Sequence, residues 1–182
     1  MGLGNLVAET STPQNKIKWL SIHHGKVELS ENGVKQLYDF VEGRLSSIYT
    51  KERNYNGEPV LKWFINLRDE EGELYSISFP YSSGTFKSIV LALASATDLT
   101  ASTIVKILPY QKGSFTNVAV YADGAKLDWV VKQLPPLDFV TINGQRVKDE
   151  AKRMKLISSF VDVINRRANN GNNGNTENKI IK

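Results

Sequence analysis

The chain has 182 residues, 41% of them hydrophobic and 23% charged, which predicts a water-soluble globular body large enough to bury a real core. It has no cysteine, which excludes disulfides, cysteine zinc sites and thiol catalysis, and no apolar run approaches the roughly 18 residues needed to span a bilayer. The net charge of +4 is a mild lean toward polyanionic partners.

Residues 1–15 are rich in small and polar side chains and are expected to be flexible. They have no basic stretch ahead of their short apolar patch, so no secretion signal is expected and the cytoplasm is the expected compartment. From Lys18 to Leu29 the pattern is that of a hairpin, with Trp19-Leu20-Ser21-Ile22, a His24-Gly25 turn, and Lys26-Val27-Glu28-Leu29. Val34 to Phe40 is short and ambiguous. Phe40 to Tyr49 alternates loosely, with Val41, Leu45 and Ile48 inward, and the polar stretch Thr50 to Pro59 is expected to be a loop. Val60 to Leu67 alternates firmly, placing Leu61, Trp63, Ile65 and Leu67 on one face; after the turn at Asp69-Glu70-Glu71-Gly72, Leu74 to Phe79 completes a second hairpin.

The period then changes. Phe86, Ile89, Val90 and Leu93 recur at helical spacing, behind Ser82 and Ser83 as candidate caps. Thr103 to Leu108 and Asn117 to Tyr121 are expected strands, joined by a loop around Pro109 to Ser114, and a further strand is expected over Leu127 to Val131. A final helix is expected from about Val147 to Arg167, with Ala151, Met154, Ile157, Val161 and Ile164 on one stripe. Its stripe must dock either on its own domain or on a second copy, which would make a homo-oligomer. Residues 169–182 are Asn/Gly-rich and are expected to form a disordered tail, leaving 16–168 as one folded domain.

Three strands, a helix and two more strands is the order of an OB fold. The expected architecture is therefore mainly β: a five-stranded OB-fold barrel with a helix between strands 3 and 4, an N-terminal hairpin and a C-terminal helix. The motifs point the same way. Val41-Glu42-Gly43-Arg44-Leu45-Ser46-Ser47-Ile48 resembles the first barrel strand of phage-type single-stranded DNA-binding proteins. Trp63 to Asp69 with Gly72-Glu73-Leu74-Tyr75 is similar to their second and third strands, and Ile107-Leu108-Pro109-Tyr110 with Asn117 to Tyr121 is similar to their last hairpin. The resemblance implies sequence-tolerant binding of single-stranded DNA during replication, recombination or repair. Other replication or recombination proteins would be partners, and a phage-encoded chain would work in its host's cytoplasm. The end of the chain departs from bacterial relatives of that kind: Glu177-Asn178-Lys179-Ile180-Ile181-Lys182 is net basic where an acidic tip recruits partners.

Binding a single strand without reading it needs cations along the phosphates and aromatic faces for the bases. Lys62, Phe64, Asn66 and Arg68 lie opposite the apolar face of their strand, although Phe64 could instead pack beneath the N-terminal hairpin or the C-terminal helix. Tyr49, Lys51, Arg53 and Tyr55 alternate in the polar stretch; Lys106, Tyr110, Lys112 and Phe115 do so in and beside the later loop; Arg44 lies on the first barrel strand. These thirteen are the candidate DNA-binding residues. Trp19 and Trp63 sit on apolar faces and are expected in the core. The adjacent His23 and His24 have no third histidine or cysteine to complete a metal site, and no metal or cofactor is expected. No phosphate loop, dinucleotide fingerprint or nucleophile elbow is present, so no enzyme is expected. The alternative is a non-catalytic structural or adaptor module that uses the barrel for protein–protein contact.

Overall fold

In the computed structural model the backbone is described over residues 16–181 and side chains over residues 16–170. The expectations for 1–15 and almost all of 169–182 fall outside the described side chains. Eleven strands and two helices follow in the order β1 (Ile17–His23), β2 (Lys26–Glu31), β3 (Val34–Tyr38), β4 (Val41–Tyr55), β5 (Glu58–Arg68), β6 (Leu74–Pro80), α1 (Gly84–Ser95), β7 (Ile104–Lys112), β8 (Phe115–Ala122), β9 (Ala125–Lys126), β10 (Asp138–Ile142), β11 (Gln145–Asp149) and α2 (Ala151–Ile181). Among these residues no helix is long and apolar enough to cross a membrane.

The protein is mainly β, but the expected five-stranded barrel is not formed. Nine strands make one open, mixed sheet in the order β3-β2-β1-β6-β5-β4-β7-β8-β9. The N-terminal hairpin, expected as an accessory, is part of this sheet. β1 runs parallel to β6, from Ile17↔Leu74 to Leu20↔Ile77, and so occupies the β6 edge on which a closing strand would have to pair. The helix that interrupts the strands therefore falls between the sixth and seventh of nine. The sheet curls far enough for the β1–β2 turn to meet β7 and β8, but through packing rather than a ladder. The Gly25 N–H donates to Thr116 Oγ1 at 3.2 Å. At φ +74°, a Cβ on Gly25 would lie 2.7 Å from the Gln111 nitrogen, so only glycine fits.

Five two-residue turns set the strand registers: His24-Gly25, Asn32-Gly33, Asn56-Gly57, Asp123-Gly124 and Asn143-Gly144, each with positive φ at both positions. This backbone matches the right-handed twist of paired strands. Asn56-Gly57 overturns the expected loop over Thr50 to Pro59. The stretch is the end of a ribbon in which β4 and β5 pair without a break from Ser47↔Asn66 to Tyr55↔Glu58. The expected loop at Pro109 to Ser114 likewise shrinks to the Gly113-Ser114 turn, with Lys112 paired to Phe115. Past β9 the chain leaves the sheet, so the expected strand at Leu127 to Val131 is absent. The β10–β11 hairpin, by contrast, has no counterpart in the expected elements.

α1 is capped by Ser83, whose side chain accepts the Phe86 N–H at 3.1 Å. It is buried on all sides, Leu91, Ala92 and Ala94 included, because it lies between the sheet and α2. A helix with apolar residues on so much of its circumference suits such a sandwiched position. Phe86 stacks on Trp63 at 4.7 Å between centroids. α2 begins four residues later than expected, since Val147 belongs to β11. Its stripe of Met154, Ile157, Val161 and Ile164 is buried within the chain, so it is not a surface on which a second copy could assemble; Ala151 is exposed.

Two polar contacts fix α2. Arg167 Nη1 donates to the carbonyls of Ala94, at 2.7 Å, and Ala96, at 3.3 Å, at the C-terminal end of α1, where a cation is favoured. The second contact is at a sheet edge. β7 pairs with β4 only from Val41 to Arg44, so β4 is unpaired on that side beyond the bulge between Leu45 and Ser47. There the Asn165 side chain imitates a strand: its Oδ1 accepts the Ile48 N–H at 2.9 Å and its Nδ2 donates to the Ile48 carbonyl at 2.8 Å. Asn165→Ala should lower the unfolding free energy by about 1–3 kcal/mol, because it leaves both groups of Ile48 unpaired. Asn165→Asp should also destabilise, since a carboxylate cannot donate to the carbonyl. Urea denaturation checks this; unchanged midpoints in both variants would show that the amide does not hold the edge.

Candidate nucleic-acid interface

Period-2 alternation along the β4–β5 ribbon gathers its cations on one face, with one acid, Glu58, at the tip. One face carries Tyr49, Lys51, Arg53 and Tyr55 from β4 against Phe64, Lys62, Val60 and Glu58 from β5, paired in that order. Glu52 falls on the opposite face, against Leu61. Lys51 and Lys62 thus stand directly opposite each other, an arrangement that costs stability unless an anion lies between them. Among the described residues neither lysine, nor Arg53, has an acidic partner.

The parallel pairing with β6 puts Trp19 opposite Ser76, beside this face. The Arg53 guanidinium sits 5.4 Å from the Trp19 ring and 5.2 Å from the Phe64 ring. Tyr49 stacks on Phe64 at 5.3 Å, and Trp19 meets it edge-on at 6.0 Å. Such aromatic and cation–π contacts hold the side chains in fixed orientations. Phe64 is consequently only 3% exposed. It is the support beneath the other side chains and not itself a stacking surface, and of the two readings left open for it, packing under the N-terminal hairpin is the one found. Trp19, expected in the core, is 44% exposed, while Trp63 is in the core as expected. Tyr55 at the ribbon tip is 70% exposed.

These residues border an open hollow of about 900 Å³, lined by Trp19, Arg53, Tyr55, Lys62, Phe64 and Tyr81 among others. Leu61, expected to face inward, is partly exposed here, because the ribbon extends past the helices that cover the rest of the inner face.

The remaining candidates lie elsewhere. Tyr110, Lys112 and Phe115 are exposed at the tip of the β7–β8 ribbon, near the β1–β2 turn, with Phe115 73% exposed. Lys106 lies over the Phe40 ring at 4.2 Å and near Tyr121 at 5.8 Å. Arg44 and Arg68 reach the Asp69–Gly72 turn: Arg68 Nη1 donates to the Gly72 carbonyl at 2.8 Å, and Arg44 Nη2 lies 3.5 Å from the Asp69 carbonyl oxygen. Asn66 is half-buried and donates to Ser47 Oγ at 3.4 Å. These three brace the sheet.

The carboxylates of Asp69, Glu71 and Glu73 lie within 4.8 Å of one another. Local contacts account for two of them, since Asp69 Oδ1 accepts the N–H groups of Glu71 and Glu73 and Glu73 pairs with Lys18. Burial and bonds to Glu73 and Asp69 push the Tyr75 phenol well above its ordinary range.

Comparison with protein-family models, curated proteins and solved structures found no match. The resemblance to phage-type single-stranded DNA-binding proteins is accordingly carried by the short motifs alone. Sequence reasoning missed Trp19 as a surface residue. The signal for it lay in β1, where Leu20 alternates with Trp19 and Ser21, but assigning a face required knowing β1's neighbour.

Phe64→Ala should destabilise the fold by about 3–5 kcal/mol, the cost of removing a buried phenyl ring. It should also loosen Trp19, seen as a shift in tryptophan emission. Unfolding at wild-type denaturant concentration would show that Phe64 is not the support of this cluster.

Proposed function

We propose that this chain binds single-stranded DNA without reading its sequence, along the outer face of the β4–β5 ribbon beside Trp19. The reading rests above all on one observation: the directly opposed Lys51 and Lys62, with no acidic partner, beside the Trp19–Arg53–Phe64 stack. Two uncompensated cations on neighbouring strands suit successive phosphates. Exposed rings at Trp19 and Tyr55 suit unstacked bases, which a duplex does not offer. Within this reading Phe64 and Tyr49 orient the platform, and Arg53 contributes both charge and a flat surface. No catalytic step is part of it; the role is to hold or protect single strands in replication or recombination.

A second reading, as an adaptor, draws on a different observation. β3 is an outer strand of the sheet with Val34 59% and Leu37 62% exposed, and an apolar edge of that kind can accept a further strand from another protein.

Titration with oligo(dT), duplex DNA and RNA of equal length at two salt concentrations separates these readings. Oligo(dT) should bind far more tightly than duplex, and equal affinity, or none, would overturn the DNA reading. Trp19→Ala should weaken binding by about 1–3 kcal/mol with little change in salt slope, since it removes a stack. Lys51→Ala or Lys62→Ala should weaken binding and flatten the slope by nearly one counterion each. Comparable affinity for RNA would widen the ligand class to single strands generally.

A further inference from the structure

We infer that the β10–β11 hairpin is a second contact for the same single strand, an arm that lengthens the footprint beyond the β4–β5 ribbon. The inference rests on the nucleic-acid reading above, but its observations are separate. β10 and β11 pair only with each other. Phe139 is paired with Lys148 and Thr141 with Arg146, so these four share one face of the hairpin, and Val140, Ile142 and Val147 fall on the other. The side chains from Phe139 to Ile142 and from Gln145 to Lys148 are exposed on both faces of the hairpin. The Arg146 guanidinium lies over the Phe139 ring at 4.0 Å, and Phe139 is 47% exposed. Among the described residues, neither Arg146 nor Lys148 has an acidic partner. The arrangement repeats the chemistry of Arg53 and Trp19: a cation beside an exposed aromatic ring, with a second cation two residues away on the same strand, Lys148 next to Arg146 as Lys51 is next to Arg53.

One residue, Tyr81, lies between the two places. Tyr81 borders both the hollow beside Trp19 and a second hollow of about 600 Å³ that extends to Asp149, at the end of β11, and to Lys155 on α2. Two carboxylates border this second hollow, and both are engaged. Glu150 pairs with Lys87 at 2.5 Å, and Asp149 Oδ1 accepts the Ala151 N–H at 2.9 Å. A strand leaving Tyr81 past Asp149 would reach the foot of the hairpin, where Asp138 faces Asp149 and pairs with Lys152, and would cross there to the opposite face, on which Arg146 and Lys148 would take phosphates and Phe139 a base.

The test uses the full chain and oligo(dT) of two lengths, about 8 and about 25 nucleotides, the shorter sized for one contact and the longer for both. The triple variant Phe139→Ala, Arg146→Ala, Lys148→Ala should bind the shorter oligonucleotide as the wild type does, and lose affinity for the longer one by about tenfold. Its melting temperature should not move, because all three side chains are exposed; the single variant Arg146→Gln, which keeps the ring and strand pairing, should show a smaller loss of the same kind. Wild-type affinity of the triple variant for both lengths would overturn the arm and leave the ribbon reading standing. Equal loss at both lengths would overturn the arm as a separate contact. A wild-type chain that binds neither oligonucleotide would overturn the ribbon reading, and the arm with it.

Discussion

Four backbone pairings, Ile17↔Leu74 to Leu20↔Ile77, join β1 to the edge of β6 in the parallel sense. The pairing determines the architecture on both sides of the sheet. It takes the hydrogen-bonding edge that would otherwise be free to close five strands into a barrel, so the sheet stays open and reaches nine strands. It also brings Leu20 into the core beside Ile77 and, by alternation, Trp19 to the outside beside Ser76. The cation–aromatic cluster exists because Trp19 is carried there. Together with Tyr49 and Arg53, that neighbour covers Phe64.

On the inner face, the helices cover different lengths of the sheet. α1 lies against Trp63 and Phe79 and is itself covered by α2, which accounts for burial around the helix that includes Lys87, paired with Glu150. α2 is tied to α1 through Arg167 and to β4 through Asn165. Asn165 matters out of proportion to its size, since a strand edge inside a packed protein needs partners for its N–H and C=O groups and no strand is present to supply them. Beyond the Thr50↔Trp63 pair, where Phe86 of α1 stacks on Trp63, the β4–β5 ribbon continues past the helices, and Leu61 on its inner side is partly exposed while Ile65 and Leu67 are fully buried.

The ribbon's charge arrangement follows from a period of two. Lys51 and Arg53 share a side of β4, Lys62 joins them from β5, and Glu52 is turned away. Nothing in local folding favours such a cluster; opposed lysines weaken a hairpin. That cost, beside the aromatic rings, is what the proposed binding of an anionic, base-bearing ligand would offset. The β10–β11 hairpin carries a smaller version of the same pattern in Phe139, Arg146 and Lys148.

Local chemistry was legible in the sequence wherever it depends on near neighbours. The alternation of Trp63, Ile65 and Leu67, the helical spacing of Phe86, Ile89, Val90 and Leu93, and the capping serine all act within a few residues, and all appear where the pattern predicts. The X-Gly turns were equally local. Asn56-Gly57 and Asn143-Gly144 carried a hairpin signal in plain sequence; polar composition obscured the first, and the second fell where Val147 was assigned to the last helix. What only the tertiary structure decided is which strand lies beside which. The pairing of β1 with β6 joins residues more than fifty positions apart, and no local pattern encodes it. The exposure of Trp19, the burial of Phe64 and the open sheet all follow from that pairing, because a side chain's face is set by alternation but its cover is set by its neighbour.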